Sequence, residues 1–306
     1  MTSARQPRSA SAGCVVVTGA TGFLGRRLCV YFQSRGWRVR GLVRDVLRHP
    51  FGEGSVEARL CDLPDRVDAS AFESVDAVIH CAYASREASL REARRVNELG
   101  TERVYALSRA AGVRQFVFIS STSAHDEALS YYGRSKLAIE RTLDLERDLI
   151  VRPGLVLAPG MGGLFHRLVD GLRGTGIAPI FDGGRQIMQT VYIDDLLAAL
   201  YGAIANDRAG RYVVAEPEGM PVRDFFRLVA AKCGARCRLV PVPTTSLLVV
   251  LRAMERLGIA LPISSENVLG MKSLRFQPSA GDLEVLGVRA RPTRESLELV
   301  FPPASG

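Results

Sequence analysis

Between residues 13 and 152 the chain alternates two textures. Short runs rich in Val, Ile and Phe predict strands at 14–18, 38–43, 56–60, 77–80, 115–120 and 149–151. Apolar positions recur at helical spacing over 25–35, 89–111 and 132–146. Strands alternating with helices over this length predict an α/β fold with a doubly wound parallel sheet. Right-handed crossovers bring the carboxyl ends of such strands, and the loops beyond them, to one edge. Chemistry is expected there.

After Pro153 the texture changes. Gly160, Gly162, Gly163, Gly174, Gly176, Pro179, Gly183 and Gly184 interrupt the pattern, and helices are predicted at 192–205, 222–232 and 246–257. The run GRYVVA at 210–215 reads as one more strand returning to the sheet. The organisation expected is a disordered polar tail at 1–12, a sheet domain at 13–158 rejoined by 191–216, and a smaller C-terminal lobe built from 159–190 and 217–306.

Hydrophobic residues make up 47% of the chain and charged ones 24%, enough to bury a core and stay dissolved. The tail lacks the apolar stretch of a secretory signal, and no run reaches the roughly 18 apolar residues of a membrane span. The nearest approach, 246–251, reads as the start of an amphipathic helix. The net charge of +8 comes from arginines interleaved with acids rather than clustered, so nucleic acid is not an expected partner. Cys14, Cys61 and Cys81 sit on or beside predicted strands and read as reduced thiols of a cytoplasmic protein. Cys233 and Cys237 lack a second ligand pair, so no metal is expected.

The first strand runs into GATGFLG, with glycines at 19, 22 and 25, and then into a helix. A dinucleotide pyrophosphate needs a tight turn, backbone free of Cβ atoms and open N–H groups at a helix start. Gly19 suits the turn, Gly22 the close approach and Gly25 the helix–strand contact. At the end of the second strand, a carboxylate would accept from a ribose 2′-hydroxyl, whereas an arginine would pair with a 2′-phosphate. Arg44 precedes Asp45 there, which favours NADP over NAD.

Tyr132 and Lys136 stand four apart in YYGRSK, on one face of a helix. A tyrosine exchanging protons near neutrality must come down from a reference pKa of about 10, at a cost of about 4 kcal/mol. A neighbouring ammonium and a positive nicotinamide would supply that. Lys136 is one of three lysines among 40 cationic residues, a choice that suits a compact ammonium. Hydroxyls at Ser120, Ser121, Thr122 and Ser123 end the fifth strand. One of them should hold a substrate oxygen, the others capping the strand end.

Together these residues resemble the extended short-chain dehydrogenase/reductase family, also called NAD-dependent epimerase/dehydratases. TGATGFLG, CDL, VIHCA, VNELGT, FVFISS, YYGRSK, RPGLVLAPG and VYIDDLLAAL occur in the family's order. The resemblance implies a Rossmann-like sheet with a smaller C-terminal substrate-binding lobe. It also implies that Asp62 contacts adenine, Ala82 lies beside the cofactor and Asn97 supports a water relay. Ser121 falls on the active-site hydroxyl, Tyr132 on the acid/base and Lys136 on its activator. Thr21, Phe23, Leu24, Leu63, Lys136 and Pro153 fall on the cofactor side, and Tyr83, Thr122, Ser123 and Arg185 on the substrate side. Departures are specific: Val43 stands where an acid is common, Leu155 where sugar-nucleotide enzymes carry asparagine, and Met188 near the position of their arginine, with Arg185 as its candidate substitute.

The expected function is that of an NAD(P)-dependent oxidoreductase or epimerase. It would transfer hydride at a carbinol or ketone carbon of a sugar or nucleotide sugar, with ketoreductase favoured over epimerase. The apolar stretch 239–261 keeps a reductase of non-sugar ketones as the alternative. A non-catalytic NAD(P)-binding protein is the third reading, against which the intact Tyr–Lys pair speaks. A small molecule is the expected partner, with no membrane partner, and the resemblance leaves a homodimer open. His80, His125 and His166 are scattered and read as structural.

Overall fold

Strand β1 (Cys14–Thr18) is buried at all five positions, which is what its unbroken apolar run demands of a strand covered on both faces. A computed structural model describes residues 13–52, 54–84, 89–160, 162–259 and 264–302. The tail expected at 1–12 lies outside them. The chain divides into two units, one of Met1–Ser120, Ala138–Val151 and Leu197–Tyr212, the other of Ser121–Leu137, Arg152–Leu196 and Val213–Gly306.

The sheet adds β2 (Arg38–Val43), β3 (Glu57–Asp62), β4 (Arg66–Val67), β5 (Ala77–His80), β6 (Gln115–Ile119) and β7 (Leu149–Pro153). With the strand Gly210–Val214 the order is Gly210–Val214, β7, β6, β5, β1, β2, β3, β4. The pairings β1–β2, β1–β5, β2–β3, β5–β6 and β6–β7 are parallel, and β4 runs antiparallel to β3. This is the doubly wound, Rossmann-like sheet that the sequence predicts. Its order reverses between β1 and β5, so the loops after those two strands flank the crevice where such sheets bind ligands.

On one face Cys14 and Val16 pack with Val78, Phe116, Phe118 and Ile150 against Phe72 and Val104. Val15 and Val17 point the other way and are equally buried. Helix α1 (Phe23–Gln33) buries Leu28, Cys29 and Phe32, and the Phe32 ring meets Trp37 at 5.3 Å and Tyr201 at 5.5 Å.

Two helices differ from expectation. The stretch 89–111 is α2 (Leu90–Arg94), a π-helical turn (Arg95–Leu99) and α3 (Gly100–Ala110). The wider turn rotates Asn97 inward, where it is 2% exposed. Helix α4 (Tyr131–Glu140) stops well short of residue 146. Beyond it the chain wraps a buried carboxylate: Asp148 accepts from the Asp144 N–H (3.0 Å), from the Tyr105 hydroxyl (2.8 Å) and from Arg109. Those bonds replace the helical ladder.

In the second unit Leu155–Leu157 pairs with Thr190–Tyr192, and Ile177–Ile180 with Arg238–Pro241, both parallel. The helices expected there are found as Ile193–Ala205 (shared between the units), Val222–Cys233 and Thr244–Arg256. Gly163–Thr175, Ser265–Lys272, Ala280–Leu286 and Thr293–Val300 were hidden by glycine-rich or short patterns. Buried Glu216 accepts from the Thr293 N–H at 2.7 Å and from its hydroxyl, which caps the last of these.

Candidate active site

β1 ends where the backbone turns left-handed at Gly19, with φ of +64°. The Gly22 N–H closes the turn on the Gly19 carbonyl at 2.9 Å. A Cβ on Gly19 would lie 2.9 Å from Ala82 Cα, and one on Gly25 would lie 2.2 Å from the Gly19 carbonyl oxygen. α1 therefore starts pressed onto the turn. Its N-cap is Gly22, which brings no capping side chain, and its first turn carries no acid. The start of α1 can thus offer N–H groups and the positive dipole end to an anion. Its shape and charge fit a dinucleotide pyrophosphate. Thr21 is exposed, and Phe23 and Leu24 are half-buried at the same place.

A buried relay behind the turn escaped the sequence reading. Thr18 Oγ1 accepts from the Cys81 and Ala82 N–H groups at 3.2 and 3.1 Å. Its proton therefore goes to Nδ1 of His80 (2.8 Å), leaving Nε2–H to donate to Thr101 Oγ1 at 2.9 Å. The Thr101 hydroxyl in turn donates to the Asn97 carbonyl at 2.5 Å. The imidazole stacks against Phe116 and Phe118, with ring centroids 5.9 and 6.1 Å away. Asn97 holds the same loop from the other end: Oδ1 accepts from the Ala84 N–H at 2.7 Å and Nδ2 donates to its carbonyl at 3.0 Å. Segment 81–84, with Ala82 and half-buried Tyr83, is thus clamped against the glycine turn. His80→Ala opens a cavity and strands two hydroxyls, and is expected to cost about 2–4 kcal/mol. Urea unfolding at unchanged m-value checks this, and a loss below about 0.5 kcal/mol would show that the imidazole is no brace.

At the end of β2, Thr21, Val43, Arg44, Asp45, Arg48 and His49 line a cleft of about 530 Å³. Asp45 turns its carboxylate onto the Leu47 N–H at 2.9 Å, closing a local turn. Arg44 and Arg48 are both exposed beside it. Arg48 and His49 were not anticipated, because no pattern in a loop says which side chains will converge. Asp62 ends β3 in an ion pair with Arg66 at 3.0 Å, and Leu63 packs under Gly100.

In the second unit Ser130 starts α4: its hydroxyl oxygen accepts from the Gly133 N–H at 3.2 Å. A Cβ on Gly133 would sit 2.4 Å from the Ser123 carbonyl oxygen and 2.8 Å from Ala128 Cβ. The loop carrying Ser121–Ser123 therefore lies directly on the helix carrying Tyr132. Ser121 Oγ accepts from the Ser123 N–H at 3.1 Å and shares a side-chain hydrogen bond with Tyr132. Lys136, 3% exposed, places Nζ 6.0 Å from the Tyr132 ring centre. Tyr132 as a residue keeps 37% of its surface, but its phenol is desolvated. Burial pushes the phenol's pKa above its ordinary value of 10, and the Ser121 hydrogen bond opposes this without reversing it. In the protein alone burial therefore favours the protonated phenol; the lowering expected from an ammonium together with a positive nicotinamide is a separate contribution.

The Ser120 hydroxyl is spent elsewhere, and Thr122 is held through its backbone. Ser120 donates to Glu140 Oε1 at 2.5 Å, and the second oxygen of Glu140 meets Arg211 at 3.2 Å. The Thr122 N–H reaches the Pro153 carbonyl at 3.1 Å, and the Thr122 carbonyl accepts from Gln277. Arg185 is exposed after the short turn Asp182–Gly184. His125 and His166 hold the carbonyls of Ser273 (2.9 Å) and Ala158 (3.0 Å). The glycine turn, Arg44, Asp62, Leu63, Ala82, Tyr83 and Asn97 belong to the first unit. Ser121–Ser123, Tyr132, Lys136, Pro153 and Arg185 belong to the second.

Residues 15–215 match the NAD dependent epimerase/dehydratase family, about two-thirds of the chain. The chain belongs to that family. A ceramide reductase of Caulobacter vibrioides is 32% identical over 247 residues, covering 77% of this chain and 75% of the relative. A 2-alkyl-3-oxoalkanoate reductase of Stenotrophomonas maltophilia is 28% identical over 257 residues, 72% of this chain and 76% of the relative. The solved structure of MoeE5 in complex with UDP-glucose and NAD superposes with a TM-score of 0.71 at 23% identity, covering 94% of this chain and 97% of that one. At that identity the likeness speaks for the fold. As a member of this NAD(P)-dependent family, the chain is an oxidoreductase or epimerase.

Proposed function

We propose that this protein is an NADPH-dependent reductase of a ketone carried on an apolar molecule. The observation that carries the reading is the cleft at the end of β2, where Arg44 and Arg48 are exposed while Asp45 is occupied by its own turn. Two guanidiniums without a free carboxylate suit a 2′-phosphate better than a 2′-hydroxyl. A cofactor bound that way favours net reduction, in which it must be exchanged each cycle.

The raised pKa of Tyr132 supports the same direction. When bound, the reduced nicotinamide supplies hydride and, being neutral, leaves the phenol's acidity to the protein. Ser121 would hold the ketone oxygen, and Tyr132 would donate its proton to the developing alkoxide. Lys136 would stabilise the phenolate left behind.

The sequence favoured a sugar or nucleotide sugar. Three observations move the reading to its alternative. Leu155 lies in a short strand, Met188 is buried, and neither offers a phosphate contact. Neither reductase relative is named for a sugar nucleotide.

The test is NADPH and NADH oxidation with a long-chain 3-oxo acid and with a nucleotide-linked 4-ketosugar. NADPH with the apolar ketone is the expected pair. Arg44→Ala is expected to raise KM for NADPH by roughly ten- to a hundred-fold and to leave KM for NADH nearly unchanged. Preference for NADH in the wild type, or conversion of a nucleotide sugar without net cofactor use, would overturn the reading.

A further inference from the structure

The helix Thr244–Arg256 has two apolar faces. One is used: Leu251 is buried, and Leu247 and Leu248 are partly buried, in a small core with Phe181, Val268 and Met271. At about 100° per residue, the opposite face carries Val249, Val250, Ala253 and, just past the helix end, Leu257. Val249 is 65% exposed, Val250 53% and Leu257 75%, and Ile259 follows at 45%. Large exposed hydrophobics scattered singly are normal, but a contiguous strip marks a contact surface.

Arg252 and Arg256, both exposed, run along one edge of this strip. The acid of the helix, Glu255, is engaged elsewhere: its carboxylate accepts from the Ser265 N–H at 2.7 Å and from the Ser265 hydroxyl at 2.8 Å. The outward surface is thus apolar, flanked by cations, with the helix's own carboxylate occupied. Apolar side chains of that kind enter the acyl boundary of a bilayer while guanidiniums stay at phosphate level. No helix among the described residues is long and apolar enough to cross a membrane, so the arrangement is one of surface docking.

We propose that the outer face of the helix Thr244–Arg256 docks onto the surface of an anionic phospholipid bilayer. Charge selects this occupant. A two-fold contact that packs this helix antiparallel on its copy would bring the same arginines together, in a chain whose net charge is already +8. Anionic headgroups neutralise them instead. The sequence reading expected no membrane partner because no apolar run is long enough to span a bilayer, a criterion that surface docking does not have to meet. The proposal goes beyond the reductase reading and does not depend on it.

The full chain, without cofactor or ketone, is pelleted with vesicles of phosphatidylcholine alone or mixed with phosphatidylglycerol. Retention by the anionic vesicles and little by the neutral ones is expected. Val249→Gln with Val250→Gln should weaken partition roughly ten-fold. Arg252→Gln with Arg256→Gln should weaken it by a similar factor at low salt, with the difference shrinking as salt rises. All four positions are exposed, and an unchanged thermal transition verifies that each variant is folded. The proposal is overturned if anionic vesicles do not retain the wild type, or if both variants bind as well as it does. It is equally overturned if light scattering finds a dimer that the valine variants split while vesicles retain neither form. A ketone never enters the assay, so its failure leaves the reductase reading standing, and vesicle binding by a chain that reduces nothing would separate the two the other way.

Discussion

Tyr132→Phe is expected to lower kcat for ketone reduction by on the order of a thousand-fold while NADPH affinity stays close to that of the wild type. The substitution removes one oxygen and keeps the ring, so α4 and the Ser121–Ser123 loop that rests on it at Gly133 keep their packing. Ser121 retains the Ser123 N–H as a donor at 3.1 Å. What is lost is the proton destined for the substrate oxygen. The pH profile adds a sign. Burial raises the phenol above its ordinary value of 10, so the donor form persists through neutrality and is depleted only as pH rises past that raised value. Reduction by the wild type should therefore be level through neutral pH and fall on the alkaline side, whereas alcohol oxidation, which needs the phenolate, should rise with pH. Equal turnover by Tyr132→Phe and the wild type would remove Tyr132 from the mechanism.

The parts of this molecule that were legible in its sequence are those where one local pattern has one physical reading. An unbroken apolar β1 followed by three glycines and a helix leaves little but a buried parallel strand and a tight turn onto a helix start. The four-residue spacing of Tyr132 and Lys136 likewise puts both on one face of α4. The illegible parts depend on partners distant in the chain. Asn97 points inward because of a π turn, which inserts no residue type that a pattern would notice. Nothing in the sequence around Gly133 signals the Ser123 carbonyl that lies against it. The raised pKa of Tyr132 reflects desolvation, whereas spacing alone reports only the lysine. Thr18, His80 and Thr101 form one relay across 83 residues of chain, legible as β-strand texture but not as a hydrogen-bonded unit.

Gly25→Ala is expected to weaken NADPH binding by at least about a hundred-fold and to lower the thermal transition as well. A Cβ there would lie 2.2 Å from the Gly19 carbonyl oxygen, 2.8 Å from its carbon and 3.0 Å from Ala20 Cα. All three are backbone atoms, so no rotamer relieves the clash, and either α1 moves off the turn or the turn opens. The Gly19 side cannot retreat, because its own close neighbour is Ala82, held through Thr18 and His80. α1 must therefore shift, carrying away the N–H groups proposed to meet the pyrophosphate. Gly22→Ala separates the two effects. Gly22 has an ordinary φ of −74°, and a Cβ there would lie 3.1 Å from the Gly19 carbonyl oxygen, a tight but tolerable contact. Its thermal transition should stay within a few degrees of the wild type while cofactor affinity falls, since the added methyl obstructs the approach of the ligand rather than the packing of the helix. Calorimetric titration of NADPH against both variants reads the difference. Wild-type affinity in Gly25→Ala would mean that the dinucleotide does not rest on this turn, and the assignment of Gly19, Gly22 and Gly25 would fall with it.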